Sequence, residues 1–391
     1  MLDRLEQQSP DALLALIKMY QADPRDSKID LGVGVYRTAD GATPVFRAIK
    51  SAEKRLVDTQ PTKAYLGPEG DMGFVNALVP HVFGQTGTRD GRIDGMQTPG
   101  GTGAVRLAVS LAHKAGVGQI WMGIPSWPNH AQILADCGMK AATFNHANAD
   151  GSADMDALRD VIAKAGKDDA VLLHGACHNP TGVDCTEAEW DEIAALLKDS
   201  GVLPIIDLAY QGLGDGMDAD AYGLRTVLAA VPEALVAYSC DKNFGLYRDR
   251  VGALYVMGAS TDDTAKIMSN AASLARANWS MPPDHGGASV RMILEDEELT
   301  ADWLAELESM RQRIGAVRAK LAEAGTAGAV DLTPLGEQKG MFAMLPVSKE
   351  QVQELREDHG VYMAGSGRIN VAGLTMGNID AFVAALADVT G

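Results

Sequence analysis

The chain has 391 residues, long enough for two domains, and 46% of them are hydrophobic, enough for a sizeable core. Its net charge of -18 repels phosphate backbones and argues against nucleic acid as a partner. No apolar run approaches the ~18 residues that span a bilayer, and Cys137, Cys177, Cys185 and Cys240 form no CxxC pair, so neither a membrane span nor a zinc or other metal site is expected.

The first stretch, "MLDRLEQQSPDALLALIKMY", is acidic and amphipathic and lacks the basic start and unbroken apolar centre of a signal peptide. With reduced thiols, this predicts a cytoplasmic protein. From about Thr98 to Gly252, short apolar runs alternate with helical patterns. "GQIWMGIP", "DAVLLHGAC", "GVLPIIDLAY", "EALVAYSC" and "VGALYVMG" read as strands, apolar on both faces as in a covered sheet. "TEAEWDEIAALLKDSG" opens with a capping box, Thr186 and Glu189, and stops at Gly201. The alternation predicts an α/β domain with a mostly parallel sheet. "ADWLAELESMRQRIGAVRAKLAEAG" predicts a long helix. After it, "SKEQVQELREDHG", capped by Ser348 and Gln351, and the strand-like "VYMAGSGRINVAGL" predict a smaller α+β unit.

Ligands of open α/β sheets bind at the carboxyl ends of the strands. Polar residues stand at several such ends: Asn179 in "HGACHNPTG", Asp207 and Tyr210 in "PIIDLAY", Ser239 and Lys242 in "VAYSCDK". Gly100 to Gly103 make a glycine-rich turn that opens a helix, whose exposed amides suit a phosphate. Each feature alone has a bland reading: a turn, a helix cap, a solvated lysine. A carboxylate, a lysine, a phosphate nest and Arg250 converging on one sheet edge are what pyridoxal 5'-phosphate requires.

At this point the chain resembles the fold-type I, class I aminotransferases of the aspartate and aromatic amino acid subgroup. The resemblance covers nearly the whole chain in family order, through "LGVGVYRTADGATPV", "KAYLGPEG", "TPGGTGAVR", "PSWPNH", "HGACHNPTG", "IIDLAYQGLGDG", "SCDKNFGLYRDRVG", "RANWSMPPDHG", "KGMFAML" and "SGRINVAGL". It implies a large domain over residues 45–308 with a mostly parallel seven-stranded sheet covered by helices. Residues 1–44 and 309–391 would form an N-terminal arm and a small α+β domain. It implies ping-pong transfer of an amino group between aspartate or an aromatic amino acid and 2-oxoglutarate, by a homodimer with shared active sites. The same fold also hosts decarboxylases, lyases and strictly aromatic aminotransferases, and a non-catalytic relative would lack Lys242 or Asp207.

The resemblance also assigns roles. Lys242 would hold the cofactor covalently and later move the proton, and Asp207 would partner the ring nitrogen with His130 behind it. Asn179 and Tyr210 would donate to the ring hydroxyl oxygen, and Trp127 would stack on the ring. Gly101, Thr102, Ser239 and Arg250 would anchor the phosphate, with Tyr65 reaching it from the other subunit. Arg368 would clamp the substrate α-carboxylate, Arg276 of the other subunit would receive a side-chain carboxylate, and Gly34 belongs to the stretch that closes over substrate. Two positions depart from the family pattern. Asp241 stands where relatives often carry Ser, so its carboxylate either faces the phosphate or turns away. Met281 stands where aspartate-specific relatives usually carry Asn. Val35, Arg37, Thr43, Ala64 and Thr102, which resemble the pocket lining, spell neither subgroup cleanly.

Overall fold

A computed structural model describes residues 1–7, 12–84 and 91–391. The chain divides into two compact units. The larger comprises Pro44–Arg313 with Gln338–Gly340, and the smaller comprises Met1–Thr43, Ile314–Glu337 and Met341–Gly391. Strand β1 (Ile29–Asp30) lies in the smaller unit.

The larger unit is organised around one seven-stranded sheet. Its strands are β2 (Ile93–Pro99), β3 (Ile120–Ile124), β4 (Ala141–Asn145), β5 (Ala170–His174), β6 (Leu203–Leu208), β7 (Ala234–Ser239) and β8 (Val251–Met257). Their order across the sheet is β2-β8-β7-β6-β5-β3-β4. From β7 to β4 all neighbours are parallel, and β8 runs antiparallel to both β7 and β2. All six residues of β7 and all seven of β8 are buried, as expected of strands covered on both faces. The helix Gly100–Ala115 contributes Val105, Leu107, Ala108 and Val109 to a core shared with Ile120, Ile205, Leu254 and Val256.

The five apolar runs of the sequence are β3, β5, β6, β7 and β8. The two strands without such a run, β2 and β4, are the two edges of the sheet. Strand β4, "AATFN", buries one of its five residues. Strand β2 carries Gly95 and ends in Pro99, and a Cβ at Gly95 would lie 2.4 Å from the Tyr255 ring. Edge strands tolerate this composition because only one side needs a full ladder.

Helix ends follow local chemistry. Both predicted capping boxes form, Thr186 with Glu189 and Ser348 with Gln351, and Gly201 closes the first of these helices in the left-handed conformation. The long predicted helix spans Glu297–Glu323. The predicted glycine-rich turn is itself the first turn of the helix Gly100–Ala115. Among the described residues, no helix is long and apolar enough to cross a membrane.

In the smaller unit β1 pairs in parallel with β12 (Val361–Tyr362). Strands β9 (Thr326–Ala327) and β10 (Val330–Asp331) form a short hairpin, and β11 (Phe342–Met344) lies antiparallel to β13 (Arg368–Asn370). Leu31, Leu321, Leu345, Leu355, Ile369, Phe382 and Leu386 fill its core.

Candidate active site

The parallel strands β5, β6 and β7 bring their carboxyl ends side by side. His174 closes β5 and is the register partner of Asp207 in β6, which in turn pairs with Ala237 two residues before Ser239 ends β7. Just beyond these ends lies a cavity of about 100 Å³. Gly101, Thr102, Trp127, Asn179, Asp207, Tyr210, Ser239, Lys242 and Arg250 line it, together with His174, Ala209 and Asp241.

One wall is a fixed carboxylate. Asp207 is buried, and its Oδ2 lies 2.9 Å from Nε2 of the buried His130. Nδ1 of His130 meets Ser126 Oγ at 2.9 Å, so both ring nitrogens are committed. His130 sits in the first turn of the helix Pro128–Asp136, whose N-cap is Trp127, and the two rings meet edge-on at 5.2 Å. Asn179 Nδ2 donates to the Tyr210 hydroxyl at 3.3 Å.

Lys242 follows β7 in a tight loop. The loop closes with the Gly245 N–H donating to the Lys242 carbonyl at 3.1 Å. Phe244 stacks on Trp303 at 4.2 Å, and the Trp303 indole N–H donates to the Asn243 carbonyl at 2.7 Å. The Lys242 ammonium lies 5.5 Å from the centre of the Tyr210 ring. Burial pushes the Lys242 pKa below its ordinary value, and Arg250 adds to this, while Asp241 and Asp207 oppose it.

At the other end of the cavity the helix Gly100–Ala115 begins. A Cβ on Gly101 would lie 2.9 Å from Ser239 Cβ, so only glycine lets that helix start approach the strand end. Asp241 is buried and pairs with Arg250 Nη1, and its Oδ1 accepts the Val251 N–H at 3.2 Å. Asp241 thus pairs with a basic group that itself lines the cavity, so its carboxylate stays at the phosphate end and does not turn away from it. Burial nevertheless pushes its pKa up, against the pull of Lys242 and Arg250.

The remaining candidates are not among the residues that line this cavity. Tyr65 is 93% exposed. Arg276, in the last turn of the helix Thr261–Asn278, donates to Ser280 Oγ at 2.6 Å. Gly34 and Arg368 belong to the smaller unit. There Arg368 lies over the Phe342 ring at 4.7 Å and donates from Nη2 to the Gly32 carbonyl at 3.0 Å. A Cβ on Gly34 would lie 2.9 Å from the Phe342 ring.

His174 went unremarked in the sequence, although "LLHGAC" puts it at a strand end just as "IIDLAY" puts Asp207. Its ring lies 5.0 Å from His130 and 4.3 Å from His178, which stacks on His146 at 3.5 Å. Burial holds His146, His174 and His178 below their ordinary pKa, so the stack is neutral at pH 7. Among the described residues, His130, His174 and Asp207 are the only set with metal-ligating spacing, and the Asp207–His130 hydrogen bond engages two of the three.

Residues 26–386 match the family described as Aminotransferase class I and II. The chain belongs to the class I and II aminotransferases. This aminotransferase is 52% identical over 375 residues to a tyrosine aminotransferase of Rhizobium meliloti, covering 96% of each chain. It is 41% identical over 377 residues to an aspartate aminotransferase of Escherichia coli, covering 94% of this chain and 95% of the other. An aromatic-amino-acid aminotransferase from Burkholderia pseudomallei, solved covalently bound to pyridoxal phosphate, superposes over 100% of both chains with a TM-score of 0.95 at 33% identity.

The aminotransferase uses pyridoxal 5'-phosphate, and the cavity fits it. Two buried oxygen atoms there, Asp207 Oδ1 and Asn179 Oδ1, have no hydrogen-bond partner within the described chain. A buried carboxylate oxygen left in this way is costly unless a ligand donor meets it, as a protonated ring nitrogen does. The helix start, Ser239 and Arg250 supply donors for a phosphate at the opposite end.

Proposed function

We propose that this aminotransferase moves the amino group between an aromatic amino acid or aspartate and 2-oxoglutarate, as a cytoplasmic homodimer. The observation that carries the reading is one cavity lined by both Lys242 and Asp207, with His130 hydrogen-bonded to that carboxylate from outside the cavity. The relatives named for tyrosine, aromatic amino acids and aspartate support the choice of donors.

Bound pyridoxal phosphate supplies an aldehyde that takes up an amino group and a ring that withdraws electrons from the substrate's reacting carbon. Lys242 would hold the cofactor, and its amine would move a proton at that carbon. Its desolvated amine, lowered in pKa, serves as a base nearer neutral pH than an exposed lysine does. Asp207 keeps the ring nitrogen protonated, and His130 holds the carboxylate in place. Asn179 and Tyr210 orient the ring through its hydroxyl oxygen, and Trp127 covers one ring face. Gly101, Thr102, Ser239 and Arg250 hold the phosphate. Arg368 receives the substrate α-carboxylate with its two-pronged fork, beside the stretch containing Gly34.

Tyr65 and Arg276 act in the active site of a second copy of the chain. Their exposure here suits residues that complete a neighbour's site. Arg276 would take the distal carboxylate of aspartate.

A donor panel of aspartate, phenylalanine, tyrosine and tryptophan with 2-oxoglutarate, read as glutamate formed, tests the reading. Turnover of the aromatic donors alone would support a strictly aromatic enzyme. Release of CO2 in place of glutamate would support a decarboxylase.

A further inference from the structure

The phosphate end of the cavity contains more negative charge than an anion site should. Asp241 is 2% exposed and pairs with Arg250 through Nη1. That nitrogen also donates to the Tyr247 carbonyl at 3.1 Å, so both of its hydrogens are committed. Only Nε and Nη2 of the guanidinium remain for a ligand. A Cβ on Gly100 would lie 2.7 Å from Arg250 Nη2 and 3.0 Å from Asp241 Oδ2, so the ion pair sits directly against the helix start.

The groups facing Asp241 come from every surrounding element. Ser239 ends β7 with Cys240 following it, and the Asp241 N–H itself donates to Ser239 Oγ at 3.2 Å. Lys242 and Arg250 stand on the same loop, Val251 opens β8, and Asp207 stands one residue before the end of β6 and lines the same cavity. The buried Cys240 thiol is pushed well up in pKa by burial and by Asp241, so it stays neutral. At this end the Arg250 guanidinium is already matched by the Asp241 carboxylate, and burial draws Lys242 toward its neutral amine. A phosphate carrying about -1.5 to -2 charges enters a site with no net positive charge.

Resting on the cofactor-site reading above, we propose that Asp241 couples retention of the cofactor phosphate to a proton. A proton from solvent adds to the Asp241 carboxylate when the phosphate binds, and leaves again when the phosphate departs. The neutral acid removes the repulsion between two anions and frees Arg250 to pair with the phosphate. Burial already favours the protonated carboxyl, which lowers the cost of this step. Retention therefore weakens as pH rises, because the proton must be drawn from a scarcer supply.

The test uses the full-length holoenzyme, converted by excess amino donor to its pyridoxamine 5'-phosphate form so that no covalent bond to Lys242 contributes. Equilibrium dialysis between about pH 6 and pH 9 gives the cofactor Kd, and phosphorus NMR of the bound phosphate gives its ionisation. Wild-type log Kd should rise with pH by up to about one unit per pH unit more steeply than that of D241S or D241N. At about pH 8 both variants should bind roughly tenfold tighter than wild type. Parallel slopes and equal Kd values in wild type and both variants overturn the proposal while leaving the cofactor site intact. Borohydride reduction of the pyridoxal form, followed by peptide mapping, separates the other failure. A label on a lysine other than Lys242 overturns the site reading and this proposal together.

Discussion

His130 and Asp207 form a buried hydrogen bond of 2.9 Å that ties a helix start to the end of a central strand. It holds one carboxylate oxygen while the other remains without a partner in the cavity. His130→Phe would keep the ring's bulk and leave Asp207 Oδ2 unpaired. Folding stability should fall by ~1–3 kcal/mol, the cost of stranding a buried acceptor. The pH dependence of the bound cofactor's visible absorbance should shift with it. Loss of stability with an unmoved absorbance titration would reduce His130 to a packing role.

Lys242→Ala should abolish amino transfer and leave a folded protein that still binds the cofactor through its phosphate. Turnover and cofactor content of the purified variant check this. Residual turnover near the wild-type rate would remove Lys242 from the chemistry.

Arg276→Ala should lower kcat/KM for aspartate by ~2–4 kcal/mol of transition-state binding, because a desolvated charge pair is lost. Phenylalanine turnover should fall much less. Mixing Arg276→Ala with Lys242→Ala offers a second check. If the sites are shared, each hybrid dimer carries one site with both intact residues, and aspartate activity should return. No recovery in the mixture would argue against shared sites.

Trp303 is fully buried, stacks on Phe244 and donates to the Asn243 carbonyl beside Lys242. Trp303→Ala should destabilise the fold by ~3–5 kcal/mol, as large-to-small core changes do. The lysine loop loses a wall, so cofactor content should drop as well. Urea unfolding and absorbance of the purified variant would show both effects.

Asp23 accepts hydrogen bonds from Arg25 at 2.6 Å and from the Tyr362 hydroxyl at 2.7 Å. The Arg25 hydrogen bonds in particular hold its carboxyl well below the ordinary 3.8. A lowered folded pKa gives stability that is present above the unfolded value and lost as pH falls toward the folded one. Asp23→Asn should therefore lower the unfolding temperature at neutral pH, and the gap should close as the pH drops below about 4. A gap of constant size down to about pH 2 would contradict this account.

The inner strands were legible because each is apolar along its whole length, a pattern set by burial on both faces. Strands β2 and β4 were not, because an edge strand draws its conformation from its single neighbour. Gly95 and Pro99 in β2, and Ala141 and Ala142 in β4, carry no strand signal of their own. Asp207, Asn179, Tyr210, Ser239 and Lys242 were visible as polar residues where apolar runs stop, and all five line one cavity. His174 carried the same signal, but only its register with Asp207 puts it beside that carboxylate.

The sequence by itself determined the covered parallel strands, the capped helices and the residue types of the site, because periodicity, capping and strand-end polarity are local. The direction of Asp241 was decided by the tertiary structure alone. Its carboxylate could face the cavity or turn away, and nothing in "SCDKNFG" chooses between them. The choice comes from Arg250, nine residues on, whose backbone takes a left-handed turn at φ 55° as the chain re-enters the sheet. A buried carboxylate goes to the nearest guanidinium and amide that can pay for its desolvation, and only the folded chain brings Arg250 and the Val251 N–H there.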